Sequence, residues 1–131
     1  MKYLPVIYVS AALVVGACNQ KTIKQTPGKE FPNIMVTYVQ KKISAKDNIL
    51  LLDVRTATEF DGPLGHIAGA VLLPVQELEQ RIDELNEHKE KEIIVICHSG
   101  NRSQTGTRIL ISYGFNAVNM LGGMKTWNDL R

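Results

Sequence analysis

Cys97 ends the apolar run Ile93-Ile94-Val95-Ile96 and opens the polar segment Cys97-His98-Ser99-Gly100-Asn101-Arg102-Ser103. The residues after it read as a helix. A thiol at the end of a strand, followed by a short loop and a helix start, is suited to holding an anion against sulfur. The loop amides can turn inward as a nest. The helix N-terminus adds unpaired N–H groups and about half a positive charge. Arg102 adds a permanent full charge. All three favour a thiolate over a thiol at Cys97. Gly100 permits the backbone turns such a loop needs, and Ser103 is placed to cap the helix that follows.

The elements that position this segment follow from hydrophobic periodicity. Ile34 to Ile43 carries a helical stripe at 35, 36, 39 and 43. Ile49-Leu50-Leu51-Leu52 is a buried-strand run ending at Asp53, and Ala70-Val71-Leu72-Leu73 is another, stopped by Pro74. Val75 to Leu85 has apolar residues at 75, 78, 82 and 85, which predicts an amphipathic α-helix. Ile93 to Ile96 is a third strand and Ser103 to Tyr113 a helix ended by Gly114. A fourth strand lies within Phe115 to Leu121, and Gly123 to Leu130 forms a closing helix that holds Trp127. Continuous apolar strands alternating with helices argue an α/β fold with a parallel sheet covered on both faces. Ligands in such folds gather beyond the carboxyl ends of the strands, where Cys97 falls. Asp53 and Arg55 read as a polar pair locking a strand end beside the loop. His66 reads as part of a packed turn, and Met120, Met124 and Trp127 as packing residues.

The chain has 131 residues, 21% of them charged and 44% hydrophobic, a globular balance. Its formal charge of +2 is small and unclustered, which gives nucleic-acid binding no support. Cysteine occurs twice, at 18 and 97. Met1-Lys2 is a short positive start, and Tyr3 to Val15 is almost wholly apolar. That run is shorter than the roughly 20 apolar residues needed to span a bilayer and fits a signal-peptide core. Val15-Gly16-Ala17-Cys18 follows it and resembles the lipobox of bacterial lipoproteins. That resemblance implies that residues 1–17 are removed and that Cys18 carries lipid. A plainly cleaved signal and an uncleaved anchor are the alternatives. Residues 18–33 read as a polar tether and residues 34–131 as the domain. The expected location is extracytoplasmic and membrane-anchored. Asn19 after the lipidated position resembles an outer-membrane-directed signal, should the source be a double-membraned bacterium. A lipidated Cys18 leaves Cys97 without an intramolecular partner, a liability in an oxidising compartment unless the thiol is used.

Three ordered motifs then resemble one family. Leu52-Asp53-Val54-Arg55, Glu59-Phe60 and Gly65-His66-Ile67-Ala68-Gly69-Ala70 resemble the N-terminal signature of rhodanese domains. Cys97 to Ser103 is similar to their active-site loop, and Gly122-Gly123-Met124 with Trp127 to their C-terminal signature. The resemblance covers about Ile34 to Arg131. It implies a central parallel sheet of four to five strands with helices on both faces, an edge strand near the start being short or absent. The extra residues Asp61-Gly62-Pro63-Leu64 are expected to form a surface turn.

The resemblance also implies sulfurtransferase chemistry of the thiosulfate type, with Cys97 as nucleophile. A small sulfur-containing anion is the donor, and cyanide, a small thiol or a protein thiol the acceptor. The chemistry calls for neither cofactor nor metal. His98, Ser99, Gly100, Asn101, Arg102 and Ser103 are the expected substrate-binding residues, through backbone amides and through Arg102. Arg102 either pairs with the donor's sulfonate or clamps the loop. His98 either adds charge near the donor or is only an exposed loop residue. Four residues separate Cys97 from Arg102, whereas phosphatases of this fold have five and a wider cradle. Sulfur transfer is therefore favoured over phosphate-ester hydrolysis. A non-catalytic persulfide carrier or binding module is the alternative from another class.

Overall fold

The computed structural model describes residues 31–131. The expected signal peptide, the lipidation site Cys18 and most of the expected tether lie outside the described residues. In chain order the elements are β1 (Asn33–Ile34), α1 (Val36–Ser44), β2 (Ile49–Asp53), α2 (Ala57–Phe60), β3 (Val71–Leu72), a 3-10 helix (Ile82–His88), β4 (Glu92–Ile96), α3 (Asn101–Ser112), β5 (Asn116–Met120) and α4 (Gly123–Asp129). The five strands form one sheet in the order β1-β5-β4-β2-β3, and every pairing is parallel. The expected α/β fold is therefore present, with a short first edge strand. Pro32 and Asn33, read from sequence as the end of the tether, pair with β5 through Asn119.

Side chains alternate across the pleat, so each central strand feeds two cores. Leu50, Leu52, Ile93 and Val95 pack with Leu78, Ile82, Leu85 and Leu110 on one face. Leu51, Ile94 and Ile96 pack with Val36, Val39, Met120 and Met124 on the other, with Trp127 partly buried against them. Burial on both sides explains why β2 and β4 read as unbroken apolar runs.

Two elements differ from the sequence expectation. Val75 to Leu85 is not an α-helix: it runs as successive turns into the 3-10 helix. Glu77 N–H bonds to Pro74 O, Leu78 N–H to Val75 O and Glu84 N–H to Arg81 O, all three residues back. A stripe spaced three, four and three serves a 3-10 turn as well as an α-turn, because residues three apart eclipse there. Leu78, Ile82 and Leu85 still reach the core. The stripe encoded burial without encoding α geometry. The short helix α2 was not expected. Its signal was present in Thr56-Ala57-Thr58-Glu59, which forms a capping box between the Thr56 side chain and Glu59. Behind it, Gly62 N–H bonds to Glu59 O and Gly65 N–H to Gly62 O, the expected turn.

Chain direction sets the location of the site. From β2 the chain moves outward to β3, and from β4 it moves the other way to β5. The carboxyl ends of β2 and β4 therefore flank the switch point where open α/β sheets form a crevice. Leu78 is fully buried beneath this arrangement. Leu78→Ala should cost about 2–5 kcal/mol of stability, read as a lower urea midpoint at unchanged slope; a change within error would show that the turn segment is not part of the core.

Candidate active site

Cys97 follows the central strand β4 and is 1% exposed. Gly100 donates its backbone N–H to Cys97 Sγ at 3.0 Å. Gly100 reaches that position with φ +104°, a left-handed conformation that suits glycine, and is the N-cap residue of α3. Ser103 is therefore not the cap. It sits one turn into α3, buried, with Oγ 3.2 Å from Cys97 Sγ. Among the described residues, the amides of Asn101, Arg102 and Ser103 meet no backbone acceptor, as the first turn of a helix requires. The helix start thus leaves unsatisfied donors beside the loop, and the Gly100 N–H is the one that meets sulfur.

The loop is held from behind by α4. Met124 N–H donates to Cys97 O at 2.8 Å and Lys125 N–H to His98 O at 2.9 Å. The carbonyls of Cys97 and His98 are thereby held by α4, while the Gly100 amide is directed at sulfur. Gly123 makes the approach possible: a Cβ there would overlap the Cys97 carbonyl oxygen and stand 2.7 Å from His98 C.

Across the crevice, Arg55 and Asp53 form a buried two-pronged pair, Nε to Oδ1 at 2.9 Å and Nη2 to Oδ2 at 2.7 Å. Arg55 also donates to the carbonyls of Glu59 at 3.2 Å and Gly65 at 2.7 Å. The pair joins the end of β2 to α2 and the following turn. His66 stacks on Phe60 with ring centroids 3.7 Å apart and is exposed.

Arg102 is engaged from the same side. Its Nη1 and Nη2 donate to Glu59 Oε2 at 2.7 Å and Oε1 at 2.5 Å. This two-pronged contact is the strong form of an arginine–carboxylate bond. It holds the Glu59 carboxyl at about 2, down from an ordinary 4.5, with the Thr56 amide and hydroxyl assisting. The same contact pushes the Arg102 guanidinium further toward its charged form. His98, Ser99 and Asn101 are exposed around the rim. The structure thus gathers Cys97 with every loop residue expected from sequence, and with Asp53 and Arg55 opposite. Sequence reasoning assigned no role to Glu59 or Asn119. Glu59 was legible as part of the motif Glu59-Phe60 and, in retrospect, as the end of a capping box, and Asn119 only as a polar residue inside a strand.

A parallel α/β sheet with a thiol at its switch point, cradled by a four-residue loop and a helix start, defines a class of domain. Residues 35–130 match the rhodanese-like domain, and the chain belongs to that family. It is 38% identical over 97 residues to the putative sulfur carrier protein YrkF of Bacillus subtilis, covering 73% of this chain and 50% of that protein. It is 34% identical over 98 residues to the putative sulfurtransferase YtwF of the same organism, covering 75% of this chain and 91% of that protein. The chain therefore spans only half of the first relative and nearly all of the second. Among solved structures, SSP1007 of Staphylococcus saprophyticus superposes with a TM-score of 0.68 at 31% identity, covering 76% of this chain and 95% of that one.

Two outcomes follow, one from the Glu59–Arg102 pair and one from the close approach of Gly123 to the loop. Glu59 is held lower in the folded chain than in the unfolded one, so its pairing stabilises the fold fully above about pH 5 and loses that contribution as pH falls from 4.5 toward 2. The stability gap between the native chain and Glu59→Gln, at most about 1 kcal/mol for a pair this exposed to water, should close over that window in urea titrations. Gly123→Ala should displace the loop and lower any activity of Cys97 about a hundredfold, the effect of misplacing a reacting atom by roughly an ångström, with rates of thiol alkylation reporting the displacement.

Proposed function

We propose that this chain is a sulfurtransferase that carries a sulfane sulfur on Cys97. The observation that carries the reading is the Gly100 N–H directed at Cys97 Sγ at the start of α3. Such donors stabilise negative charge on sulfur without movement at the moment of reaction. The names of the relatives, a sulfur carrier and a sulfurtransferase, support the same chemistry.

The reaction has two displacements. Cys97, as thiolate, attacks the outer sulfur of a donor such as thiosulfate. The donor's S–S bond breaks, sulfite leaves with the bonding pair, and Cys97 becomes a persulfide. An acceptor nucleophile then takes the outer sulfur and the Cys97 thiolate returns. This is covalent catalysis with ping-pong kinetics. The free amides at the start of α3 support a binding place there for the charged outer sulfur. The Glu59 contact supports the clamp reading of Arg102 over direct donor binding. His98 and Ser99, exposed at the rim, are the side chains a donor meets first. The four-residue spacing supports a sulfur cradle over a phosphate one. A persulfide carrier would share every step and differ only in delivering its sulfur to one protein thiol.

The proposal extends to location. Val15-Gly16-Ala17-Cys18 supports lipid attachment at Cys18, which would tether the domain to the outer face of a membrane.

Intact-mass measurement of membrane-extracted protein tests both parts. Thiosulfate should add one sulfur atom to the native chain and none to Cys97→Ser, and cyanide should remove it as thiocyanate. Cys97→Ser with full turnover, or hydrolysis of a phosphate ester in place of sulfur loading, would overturn the assignment. An N-terminal mass without acyl groups would overturn the lipid.

A further inference from the structure

Asn119 lies in β5 between Val118 and Met120 and is fully buried. A buried carboxamide costs several kcal/mol unless its groups are bonded. Here Ser103 Oγ donates to Asn119 Oδ1 at 2.5 Å, and Asn119 Nδ2 donates to Asn33 Oδ1 at 2.8 Å. Asn33 Nδ2 in turn donates to Phe31 O at 3.3 Å. The partners dictate the orientation of both amides. Asn33 must present its oxygen to Asn119, so Asn119 must present its own oxygen to Ser103.

A carboxamide oxygen only accepts. The single hydroxyl hydrogen of Ser103 is therefore committed to Asn119. Toward Cys97 Sγ, 3.2 Å away, Ser103 offers lone pairs alone. A thiol can donate into them; a thiolate cannot. For Ser103 to donate to a sulfur anion, its hydrogen must leave Asn119, and the buried Oδ1 then loses the one side-chain donor it has among the described residues.

We propose that Asn119 is a positioning residue that acts through Ser103: it holds the Ser103 hydroxyl as an acceptor, which favours the protonated Cys97 thiol in the resting protein. The relay opposes the Gly100 amide and the start of α3, which favour the anion. The nucleophile is poised between the two, and the edge strand β1 sets the balance through Asn33. The other charged or titratable groups at or beside the loop include His98 next to Cys97, Arg102 on α3, Glu59 on α2, Asp53 and Arg55 at the end of β2, and Lys125 on α4, with Arg108, Asp129 and Glu92 farther along α3, α4 and β4. The tests below alter none of them. The inference takes Cys97 as the reactive group of the proposed function, but its test needs no sulfur transfer.

The experiment is the pH dependence of iodoacetamide alkylation at Cys97 in the full chain, followed on the Cys97 peptide by mass. In Asn119→Leu the Ser103 hydrogen is released to sulfur, and the midpoint should fall by roughly half to one pH unit, the worth of one hydrogen bond. A purely structural loosening would change the rate at every pH and leave the midpoint in place. In a Ser103→Ala background Asn119→Leu should add no further shift. An unmoved midpoint in folded Asn119→Leu, or an equal shift without Ser103, overturns the proposal. Should Asn119→Leu fail to fold, exposed Asn33→Ala decides. It frees the Asn119 amide to turn its N–H toward Ser103, so a lowered midpoint supports the relay and an unchanged one overturns it. Sulfur loading of the native chain, weighed separately, reports on the proposed function and not on the relay.

Discussion

An amide hydrogen directed at a buried sulfur is the contact on which this structure depends. Gly100 delivers it, and only a left-handed residue at 100 turns the chain from the end of β4 into α3 tightly enough to do so. The turn would be unstable alone, because it leaves the first amides of α3 unpaired. The central strand ends at the thiol beside the start of α3, and the two apolar cores pack that strand on both faces.

Three supports hold the loop in this inward-facing form. From behind, the amides of Met124 and Lys125 take the carbonyls of Cys97 and His98. From the far side of the crevice, Glu59 grips Arg102, and Arg55 ties the backbone of Glu59 to the end of β2. From beneath, Asn119 fixes Ser103. The supports come from β5, α4, α2 and β2, so the loop is set by the whole sheet and not by its own sequence. Low exposure of the thiol and the ring of exposed residues His98, Ser99 and Asn101 follow from the same arrangement.

The clamp also changes what Arg102 is. Read along the chain, it is a cation two residues after a glycine that either pairs with a donor's sulfonate or clamps the loop. In three dimensions its fork is filled by a carboxylate that stays ionised far into acid. Its charge still contributes at the site, but its geometry is spent on joining α2 to α3. Ser103 shows a parallel shift, from expected helix cap to a hydroxyl between Cys97 and Asn119.

Periodicity along the chain was enough for the parallel α/β sheet and for the place of Cys97 at a strand end, because burial on both faces writes unbroken apolar runs and polar residues stop them. It misjudged Val75 to Leu85, since α and 3-10 turns present nearly the same apolar spacing. It could not reach Glu59 with Arg102, or Asn33 with Asn119 and Ser103, because these partners lie 43, 86 and 16 residues apart. Which donor meets which acceptor across such separations is decided by strand order and register, and local sequence carries neither.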